Sequence, residues 1–323
     1  MVSLLSTVGG LALISIYLYL QSRYPEETLV QFLPRIVGRV AGKLLGLAYI
    51  VYFLYLGARA VRDYGELTVT VLLPSTPIGA INGLGVLLVV YCLRHGREVL
   101  ARVSEVLLPL GVLPLLSVVL LVLPRIRAEN LLPVLGNGPG PVLAASFPLG
   151  VTVPFGETVV FLMLWSNEGK ERARGAVRAI IIAGLMLTYL NLLGAAVLGS
   201  HLARTSPFPL LEVVRQISVA EVVDRIDVMA ALVMTLGGFT RVAVYLYGAT
   251  VGLAQWLGVA DYRPLVLPVA TIVMALTITI AQSYPEHVLV GLRLVPSLLH
   301  VPFQIAIPSL LLLVVLIKRW AGK

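Results

Sequence analysis

Two charges stand where the chain is otherwise apolar. Glu157 lies in the run Phe147-Pro148-Leu149-Gly150-Val151-Thr152-Val153-Pro154-Phe155-Gly156-Glu157-Thr158, and Arg241 lies in Gly237-Gly238-Phe239-Thr240-Arg241-Val242-Ala243-Val244-Tyr245. An arginine at the centre of a membrane span costs about 2.5–3.5 kcal/mol on insertion scales, so each charge predicts the other as its partner. A carboxylate, a guanidinium and the Tyr245 hydroxyl one turn further on could together meet the ammonium and carboxylate of a small zwitterion. The same groups could instead form a fixed interhelical pair that sets register, with Tyr245 as a packing aromatic.

The run that carries Glu157 also holds Pro148, Pro154, Gly150 and Gly156. Each proline removes a backbone donor and clashes with the preceding turn, so the helix is expected to break between Gly150 and Gly156 and free N–H and C=O groups at membrane depth. Transporters build midplane sites from such interruptions, because half-helix N-termini attract anions and freed carbonyls hold cations. The expected ligand-binding set is therefore Gly150, Thr152, Pro154, Gly156, Glu157, Arg241 and Tyr245. A proline kink that only shapes packing is the plainer alternative.

The elements that position this set follow from composition. With 59% apolar and 12% charged residues in 323 and a mean hydropathy of +0.96, the chain has too little polar surface for a water-soluble fold. Its apolar runs are continuous over about 18–25 residues, the length of spanning helices, and lack the alternation of barrel strands. Nine spans are expected, at 3–20, 44–63, 78–95, 104–124, 141–165, 175–198, 226–250, 264–283 and 296–318, making one all-α polytopic domain over 1–323. Fifteen Lys and Arg fall on one side of these spans and eight on the other, with Arg241 alone inside one. The basic side is cytoplasmic by the positive-inside rule, which puts the N-terminus outside and the C-terminus inside. A basic cytoplasmic face beside anionic lipid accounts for the net charge of +8 without nucleic acid.

No catalytic chemistry is legible. Cys92 is the only cysteine and there are four His, with no grouping at metal-ligand spacing. Nucleophile-elbow and phosphate-loop patterns are missing, so no enzyme activity, metal or cofactor is expected. His300 and Gln304, four residues apart, read as packing contacts, as do Asn82, Thr188 and Asn191. Glu66, following Arg59, Arg62 and Asp63, marks a helix running on to the outer surface. Two amphipathic connections are expected to be helical: Pro25 to Lys43, lying on the cytoplasmic membrane surface, and Pro207 to Arg225 outside. Between them, Leu131 to Pro141 with Gly136-Asn137-Gly138-Pro139-Gly140 reads as a turn-rich loop.

Four motifs carry a family resemblance in order along the chain. They are Glu129-Asn130-Leu131-Leu132-Pro133-Val134-Leu135-Gly136-Asn137-Gly138, Pro154-Phe155-Gly156-Glu157-Thr158, Phe208-Pro209-Leu210-Leu211-Glu212-Val213-Val214-Arg215 and Asp261-Tyr262-Arg263-Pro264. Together they resemble the spore germination permeases. That resemblance implies an amino acid–polyamine–organocation transporter fold, with ten helices as two inverted five-helix repeats and a site between the broken first and sixth helices. It implies the B subunit of a nutrient germinant receptor in the spore inner membrane. The implied partners are a membrane-anchored A subunit and a lipoprotein C subunit, and the implied ligand is a small nutrient such as an amino acid. Nine spans and entry into the membrane at residue 3 would make the family's first helix the missing one and the fifth span here its broken sixth. A secondary amino-acid transporter and a ligand-blind scaffold or ion-pathway subunit are the other functions compatible with these features.

Overall fold

Lipid offers backbone polar groups no partner, so the apolar runs close their hydrogen bonds internally as helices. The computed structural model describes residues 1–133, 135–136, 138–166, 171–206, 208–216 and 226–320, without the side chains of 200, 204 and 226–229. In chain order the helices are α1 (Val2–Arg23), α2 (Leu29–Val37), α3 (Arg39–Val71), α4 (Ile78–Arg94), α5 (Arg97–Val122), α6 (Gly140–Ala145), α7 (Glu171–Thr205), α8 (Pro209–Arg215), α9 (Ile226–Leu257), α10 (Val266–Thr279), α11 (Tyr284–Arg293) and α12 (Ile307–Trp320). Irregular helical turns extend α6 through Ser146–Phe155 and Gly156–Met163, and turns over Pro296–Ala306 lead into α12. Among the described residues seven helical stretches are long and apolar enough to cross a membrane. The pair α10 and α11, with Arg263–Leu265 ahead of it, is a further candidate bent by 101°. The shorter α4 has 17 residues. Each expected span overlaps one of these elements, but the expected count of nine is not reached: seven stretches qualify among the described residues, or eight with the bent pair.

The centre of the molecule is the crossing of α3 and α9. Tyr49, Phe53 and Leu56 on α3 are buried, as are Leu246 and Ala249 on α9. Small residues let the two backbones approach, as is usual where helices associate in lipid. A Cβ at Gly252 would lie 3.0 Å from Ile50 and one at Gly57 3.2 Å from Leu246. Helix α1 covers one flank of the broken element and also meets α7, where Asn191 Nδ2 donates to Ser3 Oγ at 3.1 Å. On the other flank α5 leans on α9, with Pro109 and Pro114 in its middle and only 11% of its most apolar stretch buried. Most of α5 is left for lipid.

The first amphipathic connection differs from its expectation. Thr28 and Gln31 cap α2, with Gln31 Oε1 accepting from Thr28 N at 3.0 Å. The turn before it is held by Gln21 Nε2, which donates to Tyr24 O at 2.9 Å and Glu27 O at 2.8 Å. Leu29, Phe32, Leu33 and Ile36 are all buried, and Pro34 lies directly against Gly42, where a side chain would collide with its backbone. The helix is thus part of the protein core and does not ride on the membrane. Periodicity shows that one face must be covered; it does not say whether lipid or protein covers it. The second connection forms α8, whose Leu211, Val213 and Val214 join Leu67, Val71 and Val122 in a smaller cluster. Ile217 and Val222 of that connection lie outside the described residues.

Candidate functional site

The break comes at two points rather than in the single stretch predicted between Gly150 and Gly156. Phe147 (φ −132°, ψ 136°) and Val153 (φ −119°, ψ 115°) leave helical geometry, and each precedes a proline. The proline ring crowds the residue before it and pushes that residue towards extended backbone. Between and after these points the chain continues in wide and then tight helical turns, with Glu157 in the first turn of Gly156–Met163.

Glu157 is only 7% exposed, and both of its oxygens are taken. Arg241 Nη2 from α9 reaches Oε1 at 2.6 Å, and the Tyr245 hydroxyl donates to Oε2 at 2.6 Å. The Arg241 guanidinium also sits 5.9 Å from the Tyr245 ring centroid, within the range of a cation–π contact. Charge-assisted bonds of this length are the strong kind, because the ionised acceptor and donor reinforce each other. The predicted pair is therefore formed, and Tyr245 belongs to it.

Arg241 has a second, looser acid. Its Nη1 lies 3.6 Å from Asp63 Oδ2 on α3, and Asp63 Oδ1 accepts from His287 Nε2 of α11 at 3.0 Å. The Arg59 guanidinium, one turn before Asp63, donates to His287 O at 2.9 Å. A polar row thus runs Tyr245, Glu157, Arg241, Asp63, His287 across four elements. The Arg241 and Asp63 side chains remain 39% and 41% exposed, while His287 is wholly buried. A cleft of about 740 Å³ between α5, α9 and the broken element is lined by Pro154, Glu157, Arg241 and Tyr245.

The other three expected residues sit elsewhere on the broken element. Gly150 is pressed against Ser6 of α1, and Gly156 against the Gln304 side chain. Thr152 is fully buried and its hydroxyl donates to Pro148 O at 2.9 Å, a carbonyl of its own turn. Four of the seven therefore share one cleft, Gly150 and Gly156 make close contacts on the opposite flank, and the Thr152 hydroxyl is spent within the broken element itself.

That flank holds a second polar group. The Tyr52 hydroxyl meets His300 Nδ1 at 2.7 Å, Gln304 Nε2 donates to the Tyr52 oxygen at 2.7 Å, and the Tyr17 hydroxyl donates to Gln304 O at 2.5 Å. The arrangement that satisfies Tyr52 has its O–H donating to an unprotonated His300 Nδ1. These residues are 0–3% exposed and tie α1, α3 and the 296–306 turns together, matching the reading of His300 and Gln304 as packing contacts.

Asp63 and His287 were not among the expected site residues. A faint signal existed for Asp63: Arg59, Arg62, Asp63 and Glu66 recur at three- and four-residue spacing, the pattern of paired charges along a helix face, and Arg62 Nη2 pairs with Glu66 at 2.7 Å with both side chains mostly buried. His287 had no signal, because it falls in a stretch read as a connection between spans.

An all-helical membrane protein with an interrupted helix and a buried ion pair at the interruption is the class that these features define. The chain belongs to the spore germination protein family, whose model matches residues 1–285. It is 36% identical over 322 residues to spore germination protein KB of Bacillus subtilis (strain 168), covering 98% of this chain and 86% of that one. Spore germination protein YndE of the same organism is 28% identical over 252 residues, covering 76% and 69%. Spore germination protein A2 is 24% identical over 303 residues, covering 90% and 82%. The family is the one that the ordered motifs resemble.

Proposed function

We propose that this chain is the membrane-embedded B subunit of a nutrient germinant receptor in the spore inner membrane, with its N-terminus outside and its C-terminus cytoplasmic. The observation that carries the reading is the Glu157–Arg241–Tyr245 unit at the helix break, beside a cleft and within reach of a second acid, Asp63. In the described state Arg241 neutralises Glu157. A ligand ammonium entering the cleft competes for the same carboxylate, and Arg241 then turns to Asp63 while keeping part of its guanidinium for the ligand carboxylate, so that no charge is left unpaired. An exchange of partners avoids the several kcal/mol that an uncompensated buried charge costs. It also moves α9 relative to α3 and the broken element, which is the differential contact that lets binding shift a conformational equilibrium. Partner subunits, a membrane-anchored A subunit and a lipoprotein C subunit, read that shift and start germination. The polytopic domain acts without cofactor, and the ligand is a small nutrient, an amino acid.

The test uses the purified chain with its partner subunits in lipid nanodiscs, titrated with the common amino acids. At least one should raise the unfolding temperature of the wild-type complex, and Glu157→Gln should abolish that shift while leaving the complex assembled. Sealed vesicles containing the chain alone should accumulate none of the amino acid that binds. Gradient-driven uptake would make the protein a transporter, and absence of any binding would make the charged row structural.

A further inference from the structure

A cavity of about 330 Å³ lies between α3, α4, α5 and α9, at the small end of the range of ligand sites. The residues that line it include none from the broken element. Asn82 of α4 is 3% exposed and is seated against α3, where a Cβ at Gly65 would collide with its carboxamide. That seat supplies contact and no hydrogen bond. Among the described residues neither Asn82 Oδ1 nor the hydroxyl of Thr235 on α9 has a partner, although both atoms are buried and both residues line the cavity.

An unpartnered buried polar atom is costly, most of all at membrane depth, where hydrocarbon offers it no bond. Threonines within helices commonly return the hydroxyl to the carbonyl four residues earlier, as Thr240, Thr271 and Thr277 do here. Thr235 does not. Two open groups on one small cavity point to a guest that completes them. The rest of the wall is almost wholly hydrocarbon, with Val86, Val89, Phe239 and Val242 in it, and none of the lining residues is charged. An ionised guest would be stranded there. A lone water would lack the two to four polar partners it needs, and an acyl chain would leave both polar atoms open.

We propose that this cavity binds a small uncharged molecule with an apolar body and one hydroxyl head. A hydroxyl donates to a carboxamide oxygen and accepts from another hydroxyl, which are the bonds that Asn82 and Thr235 lack. The apolar body takes the space beside Val89 and Phe239. Tyr64 and Val242 also line the cavity, and they directly follow Asp63 and Arg241 in the chain, so the guest touches α3 and α9 beside the Asp63–Arg241 contact. Holding those helices at one spacing biases the choice of acid by Arg241. That consequence rests on the proposed function; the binding itself does not.

The experiment uses the full chain in lipid nanodiscs with an octanol derivative that carries a diazirine on its chain. Light attaches the bound molecule to its neighbours, and peptide mass spectrometry locates the adducts. Labelling should saturate and concentrate on 82–92, 99–107 and 235–242, the lining stretches of α4, α5 and α9. Octanol should suppress it at far lower bilayer content than octane, since only octanol completes the polar groups. Asn82→Leu and Thr235→Val should each raise the half-suppressing content of octanol about five-fold, the worth of one neutral hydrogen bond. Neither variant should unfold at a lower temperature than wild type, because an apolar group of similar shape replaces an unpartnered polar one. Thr271→Val, on the exposed side of α10, should leave the octanol dependence unchanged. Val103→Phe, which fills the cavity and keeps both polar groups, should remove the saturable labelling. Unsaturable labelling spread over the exposed faces, equal suppression by octanol and octane, or unchanged octanol dependence in both polar variants would each overturn the proposal. So would an equal loss in Thr271→Val, or saturable labelling that persists in Val103→Phe.

Discussion

The two polar groups flanking the broken element are built from similar parts and behave differently. On one flank Tyr17, Tyr52, His300 and Gln304 are sealed at 0–3% exposure and bear no formal charge as bonded. On the other, Glu157 is buried against Arg241 and Tyr245, while Arg241 and Asp63 stay 39% and 41% open and the row borders a cleft. A sealed neutral network has no charge to pass to another partner and ties together the helices that share it. A charged row with one cation between two acids offers that cation a second partner, 2.6 Å from one acid and 3.6 Å from the other. Burial alone does not separate a polar group that holds the fold from one that can change state; an alternative partner and an open side do.

The largest effect that would test this contrast is expected from Arg241→Met. It leaves the Glu157 carboxylate buried with only Tyr245 and should lower stability by about 3–5 kcal/mol, measured by thermal or SDS unfolding in mixed micelles. Adding Glu157→Gln should recover part of that loss, with a coupling energy of about 0.5–3 kcal/mol; strictly additive losses would mean that the two charges do not act as a pair. Next comes Tyr245→Phe, which removes one hydrogen bond to a charged group, worth about 1.5–3 kcal/mol, and should weaken the germination response more than it lowers protein abundance.

The sealed flank gives the counter-case. Gly156→Ala would drive a methyl into the Gln304 side chain and should cost about 1–3 kcal/mol of stability through overpacking. Its response in intact spores should fall only as far as the amount of folded protein falls, read by quantitative immunoblot; a response lost at normal abundance would make that flank functional as well. The smallest effect on stability belongs to Asp63→Asn, at about 0.2–1 kcal/mol for a half-open pair. The same change should still blunt ligand response, since it removes the second seat of Arg241. A fully normal response would sink the exchange of partners.

Much of this was legible before any coordinates. Continuous apolar runs located the helices, because in lipid no other local structure satisfies the backbone. The cost of a lone intramembrane charge brought Glu157 and Arg241 together across 84 residues of sequence, and four-residue spacing put Tyr245 beside Arg241. Two prolines announced the interrupted helix, although the positions of departure, Phe147 and Val153, follow from the crowding of each residue before a proline rather than from the glycines between.

Other features depended on which surfaces meet. Nothing in the amphipathic pattern of α2 distinguishes a lipid surface from the groove it occupies in the core. Asp63 looked like one more charge on a helix leaving the membrane until α9 and α11 brought Arg241 and His287 to it, and Gly150 and Gly156 shared a broken helix with Glu157 yet faced α1 and the 296–306 turns. Composition, periodicity and the energetic cost of isolated charges are local or pairwise, and they act through the sequence directly. Which flank of a broken helix opens on a cleft, and which acid stands second in line for an arginine, is set by the relative rotation of several helices, a property no single segment encodes.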